Sequence, residues 1–231
     1  MASRMLHYVI AVEVAKEYKI ENMNDFIVGA LLPDASSHSN GSYNRAHFGF
    51  WKTEPTKGID WVEFIQKYDM KNELNLGYLC HLITDAVWFK KVTDKYIRIY
   101  PLEEKKKRIK QGYQDFWKLN AILIEEYELE KPELYIPEFL VDEIKLESIE
   151  EVYSWFEKDF DEVGEYKASD LEIYSYELVK AFIDECKRLC LHEFSALKNG
   201  TKLTNPREYF VPTVRKEGII GVKKKRGVDD V

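Results

Sequence analysis

Residues 75–89 read NLGYLCHLITDAVWF. Leu76, Leu79, Leu82, Ile83, Val87 and Phe89 fall at the spacing of a buried helix, and His81 and Asp85 interrupt them one turn apart. An unpaired carboxylate in an apolar interior costs on the order of several kcal/mol, so this stretch predicts a central helix whose two polar side chains have a partner.

Helical signals continue on both sides of it. Ser3 is placed to cap a first helix through about residue 18, and Asn22 or Asn24 a second that carries Phe26, Ile27, Ala30 and Leu31 until Pro33 stops it. Residues 34–58 mix Ser, Asn, Gly and Pro with neither periodicity, which predicts a long loop of the kind that often carries function. Asp60 is placed to cap a short helix, WVEFIQKY. The quoted stretch opens the central helix, expected over residues 73–99 and ended by Pro101. A further helix is expected over 103–127, shorter ones near 139–145 and 148–160 after Pro132 and Pro137, and a last one over 169–197 that Asn199-Gly200 closes. Few segments alternate with period two, so the fold class is all-α, a multi-helix bundle. No Pro/Gly/Ser-rich linker divides the chain, so residues 1–200 are expected to form one helical domain and residues 201–231 an extended tail.

With 231 residues, 45% of them hydrophobic, the chain is long enough to bury a substantial core. The net charge of −7 argues against a surface that reads nucleic acid through bulk electrostatics. The basic runs EEKKKRIK at 103–110 and KKKR at 223–226 read as solvated faces. Nowhere do eighteen apolar residues run together, so no transmembrane span is expected, and the N-terminus lacks the small-residue pattern of a cleaved signal. Cys80, Cys186 and Cys190 are too few for a disulfide framework and read as small buried hydrophobes, consistent with a reducing cytoplasm.

Candidate chemistry gathers early in the chain. Of five histidines, His7, His38, His47 and His81 lie in the first 81 residues, and only His192 follows. At i, i+4 spacing His81 and Asp85 project from one helix face and can reach a single cation. His7 lies on the apolar side of the first helix. Asp34 follows Pro33 at the end of the second, where the helix carbonyls disfavour an anion unless a cation compensates. His47 sits in the loop between aromatics, and His38 is a possible additional ligand. Three imidazoles and two carboxylates suit zinc or another borderline divalent ion, and a carboxylate can bridge two such ions across a phosphoester.

The order LHYVIA, FIVGALLPD, AHF and GYLCHLITDAVWF, over about residues 3–90, resembles the zinc-dependent phospholipase C family, which is related to the S1/P1 nucleases. The resemblance implies an all-α bundle with one or two zinc ions between helices, hydrolysing a phosphoester small molecule or lipid headgroup with a metal-bound hydroxide as nucleophile. It further implies that Asp34, His47, His81 and Asp85 surround one metal, that Asp85 bridges to a second bound by His7, that Asp34 doubles as a base, and that Gly77 gives clearance for a neighbouring helix or substrate. The chain departs from the family pattern beyond residue 90. His192 with Glu193 is all that remains of the family's later histidine and glutamate ligands, so a third site is expected to be missing and His192 to be a core or surface residue. Two other readings stand beside this one: a helical module that keeps a metal without catalysis, and an HD-type phosphohydrolase, although no His-Asp dipeptide occurs. Phe48, Phe50 and Trp51 are the candidate apolar surface should the substrate be a lipid.

Overall fold

A computed structural model describes residues 1–36, 42–50, 55–138 and 140–213. The chain is mostly helical, as the periodicity predicts. In order, the main elements are α1 (Arg4–Ala15), α2 (Met23–Leu31), α3 (Ser42–Ala46), β1 (Gly49–Phe50), β2 (Thr56–Ile59), α4 (Trp61–Lys67), α5 (Glu73–Trp88), α6 (Leu102–Glu126), α7 (Ile149–Asp161), α8 (Tyr176–Asn199) and β3 (Val211–Pro212). The expected caps form at three of the main helices: Ser3 Oγ accepts from Leu6 N, Asn22 from Asp25 N, and Gly200 ends α8 in the left-handed conformation with φ of 63°. Asp60 occupies the cap position of α4 without a side-chain cap hydrogen bond.

Helix α5 is the axis of the bundle. Every residue from Leu74 to Trp88 is buried, and α1, α2, α4 and α8 all pack on it. Its crossing with α2 is unusually close because two glycines face one another's backbone. A Cβ on Gly77 would stand 1.9 Å from the Phe26 carbonyl oxygen, and one on Gly29 would stand 2.0 Å from that of Leu74. Gly77 thus supplies clearance to a helix, as expected.

Several boundaries differ from the sequence reading, each for a physical reason. The α-helix does end at Leu31, as Pro33 predicts, but the chain continues into a 3-10 turn, Leu32–Ala35, where the missing N–H of Pro33 costs little. The central helix leaves α geometry at Trp88 and continues as a π-helical segment, Phe89–Ile97. Residues 34–58 are not one loop. They hold α3, and β1 pairs antiparallel with β2, Gly49 opposite Ile59 and Phe50 opposite Gly58. The third strand comes from the expected tail, with Lys57 opposite Val211. Residues 140–145 form a turn, because Glu143 is drawn inward by Lys67 Nζ and the Tyr68 hydroxyl, and no helix forms there. The last helix starts at Tyr176, since the preceding backbone amides of Glu172, Ile173 and Tyr174 are turned onto the Asp115 carboxylate. Residues 201–213 pack on the body, with Tyr209 against Trp61 and the Phe210 carbonyl accepting from Lys90. The basic run at 223–226 lies outside the described residues.

Among the described residues, no helix is long and apolar enough to cross a membrane. The three cysteines are free and buried, with Cys80 and Cys190 sulfurs 3.5 Å apart. The run at 103–110 is largely exposed, as a solvated face should be, with Lys105 partly buried.

Candidate metal centre

Five of the six residues singled out in the sequence converge. His7 from α1, Asp34 from the turn after α2, His47 after α3, and His81 and Asp85 from α5 form two overlapping groups, His7/Asp34/His81 and His47/His81/Asp85. Within each group the candidate ligand atoms lie within 4.8 Å of one another. His81 belongs to both, whereas the sequence reading gave the shared position to Asp85 and paired His7 with it. Asp85 nonetheless touches all three rings: Oδ1 is 3.5 Å from His7 Nε2, and Oδ2 is 3.5 Å from His47 Nε2 and 3.7 Å from His81 Nε2. His38 lies outside the described residues, as do Trp51 and the Phe50 side chain. Phe48 is buried in the core, and its left-handed φ of 48° turns the chain from His47 into β1. His192 is exposed, with its Nε2 3.8 Å from Glu193, and belongs to neither group.

Each imidazole is held by its local structure. At the point where α2 tightens into its 3-10 turn, the Ala30 carbonyl accepts from Nδ1 of His81 at 2.8 Å. The Tyr43 carbonyl accepts from Nδ1 of His47 at 2.9 Å, and the Tyr43 ring stacks on that imidazole at 3.9 Å. Helix α3 is itself tied to α5 by the Tyr78 hydroxyl, which donates to the Ala46 carbonyl. His7 lies flat against His81, ring centres 3.6 Å apart and planes within 8°.

These bonds fix the tautomers. A ring that gives its Nδ1 proton to a carbonyl and is neutral has a bare lone pair at Nε2. Both His47 and His81 are neutral at pH 7. Burial, reinforced by the charge of the neighbouring imidazole, pushes His47 down to about 3, and burial with the charge on His7 pushes His81 down to about 4. Their two Nε2 atoms nevertheless face each other at 3.2 Å, with Asp85 Oδ2 beside them. Three acceptors are therefore aimed at one another without a proton between them. Asp85 Oδ2 and both ring nitrogens of His7 are buried with no hydrogen-bond partner among the described residues. Burial alone would raise the Asp85 carboxyl, but the His7 and His81 imidazoles and the amino-terminal charge outweigh it and hold it well below the usual carboxylate range. Three imidazoles and two carboxylates so placed could hold a metal ion.

Asp34 is the member that opens outward. Burial pushes its carboxyl up to about 6, with His81 opposing and Asp85 adding to the rise. It lines a cavity of about 370 Å³ that also meets the amino-terminal residues, Arg4, Asn120, Trp117 and Trp155. Arg4 is clamped by Asp159, Nε to Oδ2 at 2.8 Å and Nη2 to Oδ1 at 3.2 Å, and Asn120 braces the same carboxylate at 3.1 Å. None of these cavity residues was singled out in the sequence. The arginine and its aspartate stand 155 positions apart, so no local spacing announces them. The exposed Trp117 and Tyr113 on a polar helix were the one available signal. The Ala2 amide, which donates to Asp85 Oδ1 at 2.9 Å, was likewise missed.

No protein-family model, no curated protein and no solved structure matches the chain.

Proposed function

We propose that the chain is a metal-dependent phosphoester hydrolase whose metal, zinc or a similar divalent ion, is held by His7, Asp34, His47, His81 and Asp85. The observation that carries this reading is the opposition of the two unprotonated Nε2 atoms of His47 and His81 across 3.2 Å, with the orphaned Asp85 Oδ2 beside them. Imidazole and carboxylate donors without thiolate suit zinc and its neighbours. A divalent ion there supplies Lewis acidity toward a phosphoryl oxygen and lowers the pKa of a bound water.

The chain's own groups fit the rest of such a reaction. The carbonyls of Ala30 and Tyr43 orient His81 and His47, which removes rotational freedom from the donor set. Asp34 faces the cavity with a carboxyl poised near neutrality, suited to holding or moving a proton at its Oδ atoms. Arg4, fixed by its fork onto Asp159, presents a rigid cation to phosphoryl oxygens. The apolar walls around Trp117 and Trp155 restrict water and suit an organic substituent on the phosphate. The residues that converge are those on which the resemblance to the zinc-dependent phospholipase C family rests, and this supports a bundle of that kind. Free buried thiols suit a cytoplasmic setting.

A non-catalytic metal module is the second reading, favoured by the complete burial of His7, His47, His81 and Asp85. Metal analysis of the purified protein, paired with turnover of generic phosphodiester and phosphomonoester substrates, separates the two. Stoichiometric metal with turnover supports the hydrolase, metal without turnover the module, and absence of metal removes both.

A further inference from the structure

A second cavity, of about 280 Å³, adjoins the one that reaches Asp34 and shares Met1, Tyr113 and Phe116 with it. Its charged lining is Lys57 from β2, Arg98 just beyond the π-helical segment and Lys105 near the start of α6, and no carboxylate lines it among the described residues. The aromatic floor is Phe89. Lys57 Nζ lies 5.4 Å from the centre of that ring, and the Arg98 guanidinium carbon also lies 5.4 Å from it.

The fold fixes these cations. Strand pairing places Lys57 opposite Val211, and Arg98 is held by Asp94 at 2.6 Å and by the Pro212 carbonyl at 2.8 Å. Like charges gathered in a half-buried hollow repel one another. The Lys57 ammonium is accordingly pushed down to about 8, first by burial and then by Arg98 and Lys105, against a smaller opposing effect of Asp94. A hollow lined by three cationic side chains, with no carboxylate in its lining among the described residues, is complementary to an anion.

We propose that this cavity is an anion subsite that takes a second phosphate of a substrate whose scissile phosphoester lies at Asp34. The assignment rests on the metal-dependent phosphoesterase reading above. Tyr113 and Phe116, common to both cavities, cover the organic part of the molecule between its two phosphates. The preferred substrate class is thus a phosphodiester that bears a further phosphate, in contrast to an ester with an uncharged tail.

The test compares the p-nitrophenyl ester of thymidine 5′-phosphate with and without a 3′-phosphate, in the metal-loaded full-length protein. The expected KM is about tenfold lower for the 3′-phosphorylated ester, the worth of one or two charge-assisted contacts. Lys57→Gln and Lys105→Gln should each collapse that ratio toward one. Lys105 is partly exposed, so its variant stands should the Lys57 variant misfold. Equal KM values for the two esters in the wild type, or a ratio that both variants preserve, would overturn the subsite while leaving the hydrolase reading intact. Should the wild type turn over neither ester, the hydrolase reading fails. The subsite is then decided by calorimetric titration with pyrophosphate: roughly tenfold weaker binding in both variants supports it, and unchanged binding sinks it.

Discussion

Two buried carboxylates, Asp85 on α5 and Asp115 on α6, have opposite surroundings. Asp115 is fully buried and accepts from the backbone amides of Glu172, Ile173 and Tyr174, with Lys118 3.6 Å away. Its charge is spent on holding the chain entry to α8. Asp85 is equally buried, yet one oxygen takes the Ala2 amide and lies 3.5 Å from His7 Nε2 while the other faces two imidazole lone pairs. A satisfied buried carboxylate is a structural clamp; an orphaned one among further acceptors belongs to a group that could hold a cation.

The largest effect should come from removing the orphaned group. His81→Ala combined with Asp85→Ala is expected to bring bound metal to background in elemental analysis and to abolish phosphoester turnover. Asp85→Asn alone should weaken metal retention by roughly a hundredfold or more. In metal-free protein the same variant should lower the thermal midpoint, because the imidazoles and the amino-terminal charge that hold the Asp85 carboxyl low also stabilise its anion in the folded state. Metal content left unchanged in that variant would place Asp85 with Asp115 as a clamp.

Asp115→Ala should do the reverse. Orphaning three buried amides is expected to cost about 3 kcal/mol, a fall of about 6–12 °C in Tm, with the metal content of the folded fraction unchanged. Next in size is Gly77→Ala, whose new methyl meets the Phe26 carbonyl. It should cost about 2–3 kcal/mol in thermal denaturation and loosen metal binding, since it displaces the α2 end that orients His81.

Acidification probes the same contrast without mutation. His47 and His81 titrate near 3 and 4 in the folded metal-free protein but near 6.5 when unfolded. The unfolded chain therefore takes up protons first, and stability present above pH 6.5 is lost as the pH falls toward 4 and then 3. Asp34 works the other way, because its folded value of about 6 exceeds its ordinary 3.8, so it adds stability as the pH falls through that window. The net expectation is a loss on the order of 2 kcal/mol between pH 7 and pH 5, measured by denaturant titration of metal-free protein. Bound metal should steepen the loss by competing with the same protons. The smallest effect is expected at the exposed His192, where substitution by alanine should change stability by less than about 0.5 kcal/mol and leave metal content untouched.

By itself the sequence determined the helical class, the main caps, the burial of the central helix and the polar residues that gather around it. Those features depend on periodicity, on capping chemistry and on the cost of an unpaired buried charge, all of which act over a few residues. Asp34, His47, His81 and Asp85 were legible because each sits where a local rule is broken: an anion at a helix end, an imidazole between loop aromatics, and two polar side chains in an apolar run. Tertiary structure decided what local rules do not reach. It brought β3 from the tail to β2, set Arg4 against Asp159, made His81 the member common to both ligand groups, and placed Lys57 beside Arg98 and Lys105. The physical reason is that such pairings are between residues far apart in the chain, where packing and burial choose the partners and no spacing along the sequence records them.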